Sequence, residues 1–370
     1  MQPADARGIL EQLAAHGTPS PGVARRIDVG SEPYLAFFER ELLAGLIEPG
    51  GSACRIYEGA YGAGKTHLLQ LLAETALQRR AAVVQADLSH DLQLSDWRGL
   101  LQHILQEVML KDGAGEVHRG LAAILMELDW DPSYGEALRQ VRAPHSGFRE
   151  AMRAAISPDL APAAAPVLRR FLLGETIRAG DLKRHGIHGV KGPLTHRNAE
   201  RVLQTLGICL AALDVPALVI LFDETEQMLA HKRQVATTLA GNLLRRLIDG
   251  STAGRLTSTF MAFAVLPGTI EQASLVYPAL GQRLRVLERA RGGYRRPVLD
   301  IAQLNTCRTP SEFVDAAASR ICGLASEVGS APVDLLEKLR HEGRAVIESN
   351  ASGYRRPLFK QLAATALSNV

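Results

Sequence analysis

Residues 59–66 read Gly-Ala-Tyr-Gly-Ala-Gly-Lys-Thr. The spacing is G-x-x-x-x-G-K-[ST], a pattern suited to wrapping phosphates. Glycines let backbone N–H groups close round an anion without Cβ interference. Lys65 would reach the outer phosphates, and the Thr66 hydroxyl would ligate Mg²⁺. A helix beginning near Thr66 would add its positive dipole end. A second set of reactive side chains lies far along the chain. The apolar run 217–222, Ala-Leu-Val-Ile-Leu-Phe, ends in Asp223-Glu224. Two acids at the mouth of a buried strand are costly unless they serve a cation. Asp223 suits the second partner of the Mg²⁺ held by Thr66, and Glu224 the base that deprotonates an attacking water. An acidic cap on the following helix is the plainer alternative for this pair.

The flanking residues supply the elements that must hold these groups. Residues 53–57, Ala-Cys-Arg-Ile-Tyr, form a short buried strand before the loop, and Leu68, Leu69, Leu71 and Leu72 lie at helical spacing after it. Residues 81–87 and 260–266 are further strands. The latter ends in Pro267-Gly268-Thr269, which puts a hydroxyl at a strand's carboxyl end, where ligands of open α/β sheets bind. Thr269 either contacts the γ-phosphate or the water, or caps the next helix. Residues 298–304 are the expected last strand. The pattern predicts an α/β fold with a parallel sheet flanked by helices.

Between the strands lies a block of helical spacing. Trp97, Leu100, Leu101, Ile104, Leu105, Val108 and Met109 mark an amphipathic helix, and further helices are expected over roughly 117–128, 134–142, 146–156 and 163–174. Residues 174–195 are rich in glycine and basic side chains, among them Arg178, Lys183, Arg184, His185, His188 and Lys191, and read as an exposed basic loop. Long helices are expected over 197–213 and from Val235 to Ile248. A dense run of arginines comes next, with Arg283, Arg285, Arg289, Arg291, Arg295 and Arg296. Such a run is either a solvated face or the source of a cation for a neighbouring subunit's γ-phosphate. From residue 311 the chain is helical to its end. Before the first strand, a helix over 7–15, a Pro/Gly turn at 17–22 and a helix starting at Ser31 make a segment that either covers a bound base or straps the core.

Composition narrows the classes. The 370 residues are 46% hydrophobic with a net charge of +3. That supports one large domain or two to three small ones and is too weakly basic to argue for nucleic acid alone. Four scattered cysteines make no C-x-x-C pair, so neither a disulfide framework nor a zinc site is expected. The N-terminal stretch has no apolar core of signal-peptide length, and no run of about 18 apolar residues would span a membrane. A cytoplasmic protein is expected.

Together these motifs resemble an AAA+ ATPase of the initiator and clamp-loader branch. More narrowly, the chain is similar to the ATP-binding proteins of bacterial BREX phage-exclusion systems. The resemblance rests on Gly17-Thr18-Pro19, the stretch 58–68 around the loop, Leu173-Gly174-Glu175, Leu221-Phe222-Asp223-Glu224 and Tyr277-Pro278-Ala279-Leu280. It implies ATP and Mg²⁺ as ligands, with Gly59, Ala60, Tyr61, Gly62, Ala63, Gly64, Lys65, Thr66 and His67 around the nucleotide. It places the 260–266 strand between the loop strand and the acidic strand. It also puts Thr269 at the first sensor position, Arg283 near the arginine-finger position, and Arg355 or Arg356 near the second sensor position on a C-terminal helical lid. The implied layout is a helical strap over 1–50, an ATPase core over 51–305 with a helical insertion at about 97–195, and a lid over 306–370. The implied role is a motor or switch in a DNA-associated defence complex, as a homo-oligomer with a helicase or other defence protein as partner. An ATP-binding scaffold with incidental turnover is the alternative. The chain leaves no room for a winged-helix domain after the lid, so the resemblance does not imply direct recognition of duplex DNA.

Overall fold

The computed structural model describes residues 5–19, 22–88, 92, 96–190, 194–229, 234–289, 292–349 and 353–370. Lys191 and Arg291 of the expected basic stretches lie outside them. Seven strands are described: β1 Ser52–Glu58, β2 Ala82–Asp87, β3 Met109–Lys111, β4 Val117–Arg119, β5 Leu218–Asp223, β6 Thr259–Val265 and β7 Val298–Asp300. They form one sheet in the order β4-β3-β2-β5-β6-β1-β7. β6 lies between β1 and β5, as the resemblance implied. β5 and β6 are buried almost throughout because helices cover both faces, which is why both read as unbroken apolar runs.

The sheet is mixed, not parallel throughout. β2, β5, β6, β1 and β7 run parallel, but β3 pairs antiparallel with β2, and β4 antiparallel with β3. This hairpin replaces the start of the helix expected at 117–128. A tight turn makes it: Asp112 Oδ1 accepts the Glu116 N–H at 2.8 Å, and Gly115 takes a left-handed φ of 90°. The helix itself spans only Leu121–Glu127. The last strand is also shorter than expected. Asp300 ends β7 because its carboxylate accepts the Ala302 N–H at 2.9 Å and starts the helical turn Ile301–Leu304.

The helical insertion packs on one face of the sheet, together with the Gln234–Thr252 helix. Residues 174–195 are not a plain exposed loop. Ile177, Leu182, Ile187, Val190 and Leu194 are buried and anchor a short Ala179–Arg184 helix, while Lys183, Arg184, His185 and His188 stay exposed. The opposite face carries the Lys65–Gln78 helix and the π-helical Phe38–Ile47 segment. Tyr34, just before that segment, meets Tyr57 of β1 through their hydroxyls at 2.5 Å. A third cluster joins the first helix, Ala6–His16, to the C-terminal helices Pro310–Val328, Leu335–Ser349 and Arg355–Leu367. The two ends of the chain thus close over the carboxyl ends of the strands from the same side.

Candidate nucleotide site

The glycine-rich loop leaves the end of β1 and runs into the Lys65–Gln78 helix. Gly62 and Gly64 take φ of 71° and 96°, conformations that a side chain would strain. Gly62 has a further constraint. A Cβ there would lie 2.5 Å from the Gly353 carbonyl oxygen, so the C-terminal segment rests directly on the loop.

Lys65 folds back over this loop. Its Nζ donates to the carbonyls of Gly59 at 2.8 Å and Ala60 at 3.4 Å, and sits 5.4 Å from the centre of the exposed Tyr61 ring. Burial holds the ammonium below its usual pKa, against the pull of Glu226, Asp223 and Glu224. The Thr66 hydroxyl donates to Asp223 Oδ2 at 2.6 Å. β5 and β1 are separated by β6, so this contact bridges two non-adjacent strand ends. A hydroxyl and a carboxylate converging at a strand mouth are hard oxygen donors, and they fit a small dication such as Mg²⁺. Glu224 comes next at a left-handed φ of 52°, with Gln227 donating its side-chain amide to the carboxylate. Burial raises the Glu224 pKa, and the charges of Asp87 and Asp223 raise it further.

These groups line one cavity of about 220 Å³. Its far walls come from the chain ends. Ile27, Val29, Ile301, Leu304, Phe313 and Phe359 supply apolar surface, and Gly17, Thr18 and Pro19 close one rim. An apolar slot beside a glycine loop suits a planar base beside its phosphates. The N-terminal segment both packs on the core and lines this slot. The buried Asp28 ties that segment to the loop helix through His67 Nε2, 3.4 Å from Oδ1. Burial works to raise the Asp28 pKa, but the His67 and Ser31 contacts outweigh it, and the carboxyl stays below its usual range.

Arg355 Nη1 donates to the Ala63 carbonyl at 2.8 Å, and its guanidinium lies 4.5 Å from the centre of the Phe313 ring. Arg356 also lines the cavity and donates from Nε to the His16 carbonyl at 2.9 Å. Ala60, Tyr61, Gly62, Gly64, Lys65, Thr66, His67, Asp223 and Glu224 line it too, with Gly59 and Ala63 contributing the carbonyls just described. Two expected site residues stand elsewhere. Thr269 is buried as the first residue of the Thr269–Val276 helix and is not part of the cavity lining. Arg283 is half exposed and pairs with Asp249 of the Gln234–Thr252 helix at 2.7 Å.

Sequence reasoning passed over Asp28, Asn305, the two phenylalanines and Glu226. Only Glu226 left a local signal, as a third acid in Asp-Glu-Thr-Glu. The others reach the cavity through long-range packing. No curated protein is detectably similar to this chain in sequence. A family model described as "BREX system ATP-binding protein BrxC/D" matches it in two overlapping segments, residues 1–162 and 149–311. The matched span contains the glycine loop, Asp223 and the N-terminal wall of the cavity. With ATP the ligand that this family binds, and with most of its length matched, the chain belongs to the family of BREX system ATP-binding proteins BrxC/D.

Proposed function

We propose that the protein is an Mg²⁺-dependent ATPase of the AAA+ kind, a motor or switch within a DNA-associated phage-defence complex. The observation that carries this reading is the 2.6 Å contact between Thr66 and Asp223 beside the glycine loop. The two side chains would hold Mg²⁺, which when bound offsets charge on the β- and γ-phosphates. Lys65 would exchange the Gly59 carbonyl for those phosphates. The loop N–H groups would take the remaining phosphate oxygens, and the apolar slot the base. An acid at the end of β5 would then take a proton from the attacking water, the role that the motif gives to Glu224. Arg355, resting on the loop from the C-terminal helices, fits a lid residue that senses the nucleotide. Arg283 fits a finger only in an oligomer, after leaving Asp249 for a neighbour's γ-phosphate. DNA contact is assigned to the exposed basic residues of the insertion, Lys183 and Arg184 among them.

Lys65→Ala tests the core of this reading. It should abolish phosphate release and the ATP-induced rise in melting temperature, since ligand at about 100 times Kd stabilises by about 2.7 kcal/mol. An unchanged melting shift in Lys65→Ala would remove the loop from the site. Phosphate release per subunit should also rise with protein concentration if Arg283 acts across an interface. ATP binding without phosphate release in the wild-type protein, with or without DNA, would favour the scaffold.

A further inference from the structure

The turn that makes the β3–β4 hairpin also gathers three side chains of metal-binding type. Asp112 and Glu116 face each other across it. The Asp112 N–H donates to the Glu116 carbonyl at 2.9 Å, and Asp112 Oδ1 accepts the Glu116 N–H at 2.8 Å. His118 stands opposite Leu110 in the ladder. Side chains alternate along a strand, and directly paired residues share a face. Asp112, two residues from Leu110, and Glu116, two from His118, therefore leave the hairpin on the same side. Lys111, Val117 and Arg119 leave on the other, which keeps the hairpin's own cations away from the two carboxylates.

One ligand atom from each of Asp112, Glu116 and His118 lies within 4.8 Å of the other two. His118 Nε2 is 3.1 Å from Asp112 Oδ2, and these two side chains are only 17% and 20% exposed. Two ligands at about 2.1 Å from one ion lie about 3.0 Å apart at a right angle and about 3.4 Å apart at the tetrahedral angle. The pair falls in that interval, so an ion would replace the shared proton with little movement. Glu116 is exposed, and its flexible side chain can close the remaining distance. The Glu116 N–H holds Asp112 Oδ1 and so turns Oδ2 toward the ion, the kind of outer contact that orients metal ligands. Acidic side chains often gather at a surface and bind nothing. Here an imidazole nitrogen joins them, and a mixed set of one imidazole and two carboxylates suits a transition ion such as Zn²⁺ better than Mg²⁺ or Ca²⁺.

We propose that Asp112, Glu116 and His118 bind a divalent transition-metal ion such as Zn²⁺, with water completing its coordination, and that the ion fastens the β3–β4 hairpin. The site uses no cysteine, so the scattered cysteines gave no sign of it. Each strand of the hairpin has three residues, and β4 is paired on one side only. So short an edge pair is marginal by itself. An ion joining the turn to β4 would hold both ends of the hairpin's second arm in register. Four strands separate β4 from β1. The site is therefore distinct from the Mg²⁺ position beside Thr66 and stands independently of the ATPase reading.

The plainer role for the three side chains is a hydrogen-bonded turn without an ion, and Zn²⁺ titration separates the two. Affinity is read on the full chain, without nucleotide, by competition with a chromophoric chelator, and melting temperature is followed with and without Zn²⁺. The wild type should bind one Zn²⁺ at this site and melt higher with it. Loss of an outer contact to a metal ligand costs about 10–100-fold in affinity, so His118→Gln and Glu116→Gln, which remove direct ligands, should each lose at least that much. The Zn²⁺-induced rise in melting temperature should vanish with the affinity. If His118→Gln fails to fold, Glu116→Gln decides alone, since its side chain is exposed and the backbone turn stays in place. Asp223→Asn, at the nucleotide site, should bind Zn²⁺ as the wild type does. A wild type that binds no Zn²⁺ overturns the proposal. So does Zn²⁺ affinity that stays within about threefold of wild type in both ligand variants, which marks an adventitious ion bound elsewhere. Affinity lost in Asp223→Asn but kept in Glu116→Gln assigns the ion to the nucleotide site and overturns it too.

Discussion

Gly-Tyr-Arg-Arg-Pro occurs twice in this chain, at 293–297 and at 353–357, and the two copies adopt different structures. The first makes a 3₁₀ turn, Gly293–Arg295, that leads into β7. Gly293, Tyr294 and Arg296 line an open groove of about 850 Å³, separate in most of its walls from the nucleotide cavity. The second copy opens the last helix, Arg355–Leu367, above the glycine loop. Both glycines take a left-handed φ, 57° at Gly293 and 72° at Gly353. The left-handed backbone at the glycine is therefore common to both places. The contacts made beyond the glycine depend on the surface each turn meets. Arg295 finds Glu41 on the surface at 2.5 Å, whereas Arg355 finds the Ala63 carbonyl and the Phe313 ring. Five identical residues thus make a surface ion pair in one setting and a wall of the ligand site in the other.

The glycines give the sharpest contrast. Alanine at either position pays the left-handed penalty, about 1–2 kcal/mol. At Gly293 nothing lies within 4 Å of the added Cβ, so the cost ends there. At Gly353 the Cβ would lie 2.6 Å from the Tyr61 carbonyl oxygen, and the C-terminal segment must lift off the loop. Gly353→Ala should therefore weaken ATP binding strongly, by about 10²-fold, for a loss near 3 kcal/mol. Gly293→Ala should lower the melting temperature with ATP affinity unchanged. Titration of both variants with ATP checks this. Equal affinities would mean that the contact between Gly353 and the loop has no part in binding.

The arginines come next in size. Arg355 makes a charged hydrogen bond and covers an aromatic ring, interactions worth about 1.5–3 kcal/mol for the first alone. Arg355→Ala should cut ATP affinity by about tenfold or more. Arg295 pairs with Glu41 where both side chains are about half exposed or more, and such pairs contribute about 0–1 kcal/mol. Arg295→Ala should leave nucleotide affinity within about twofold. A competition assay with a fluorescent nucleotide reads both, and parity between the two variants would break the distinction.

Much of the site was legible because its chemistry is local. The loop spacing, the strand before it and the acid at the end of β5 each fit within a few residues. β5 and β6 were legible because strands covered on both faces need no polar side. The β3–β4 hairpin was not: Val117-His118-Arg119 sits at an exposed edge, so it carries no apolar run, and only the turn at 112–115 marks it. The anchors Ile177, Leu182, Ile187, Val190 and Leu194 are spread thinly among glycines and charged residues, which left the segment looking polar. Asp28, Phe313 and Arg355 reach the cavity from opposite ends of the chain, and no local pattern encodes that meeting.

The second arginine of each copy makes the finest test. Arg356 donates from Nε to the carbonyl of His16, the last residue of the Ala6–His16 helix. Carbonyls at a helix end lack partners within the helix and carry its negative dipole end, so a guanidinium there is favourable. The same arginine lines the nucleotide cavity, so it joins the first helix, the last helix and the ligand site. Arg296 is exposed in the other groove. Arg356→Ala should lose about 0.5–1 kcal/mol of stability, because the bond is exposed and helix-end charges are worth little more. In a chain of this length that is a fall in melting temperature of only about 1–3 °C. The informative quantity is how the fall responds to ligand. If Arg356 only joins the two chain ends, saturating ATP should not restore the difference from wild type. If it also touches the nucleotide, the ATP-induced shift itself should shrink. Arg296→Ala should change neither quantity, and a melting temperature as low as that of Arg356→Ala would show that the two copies carry equal weight.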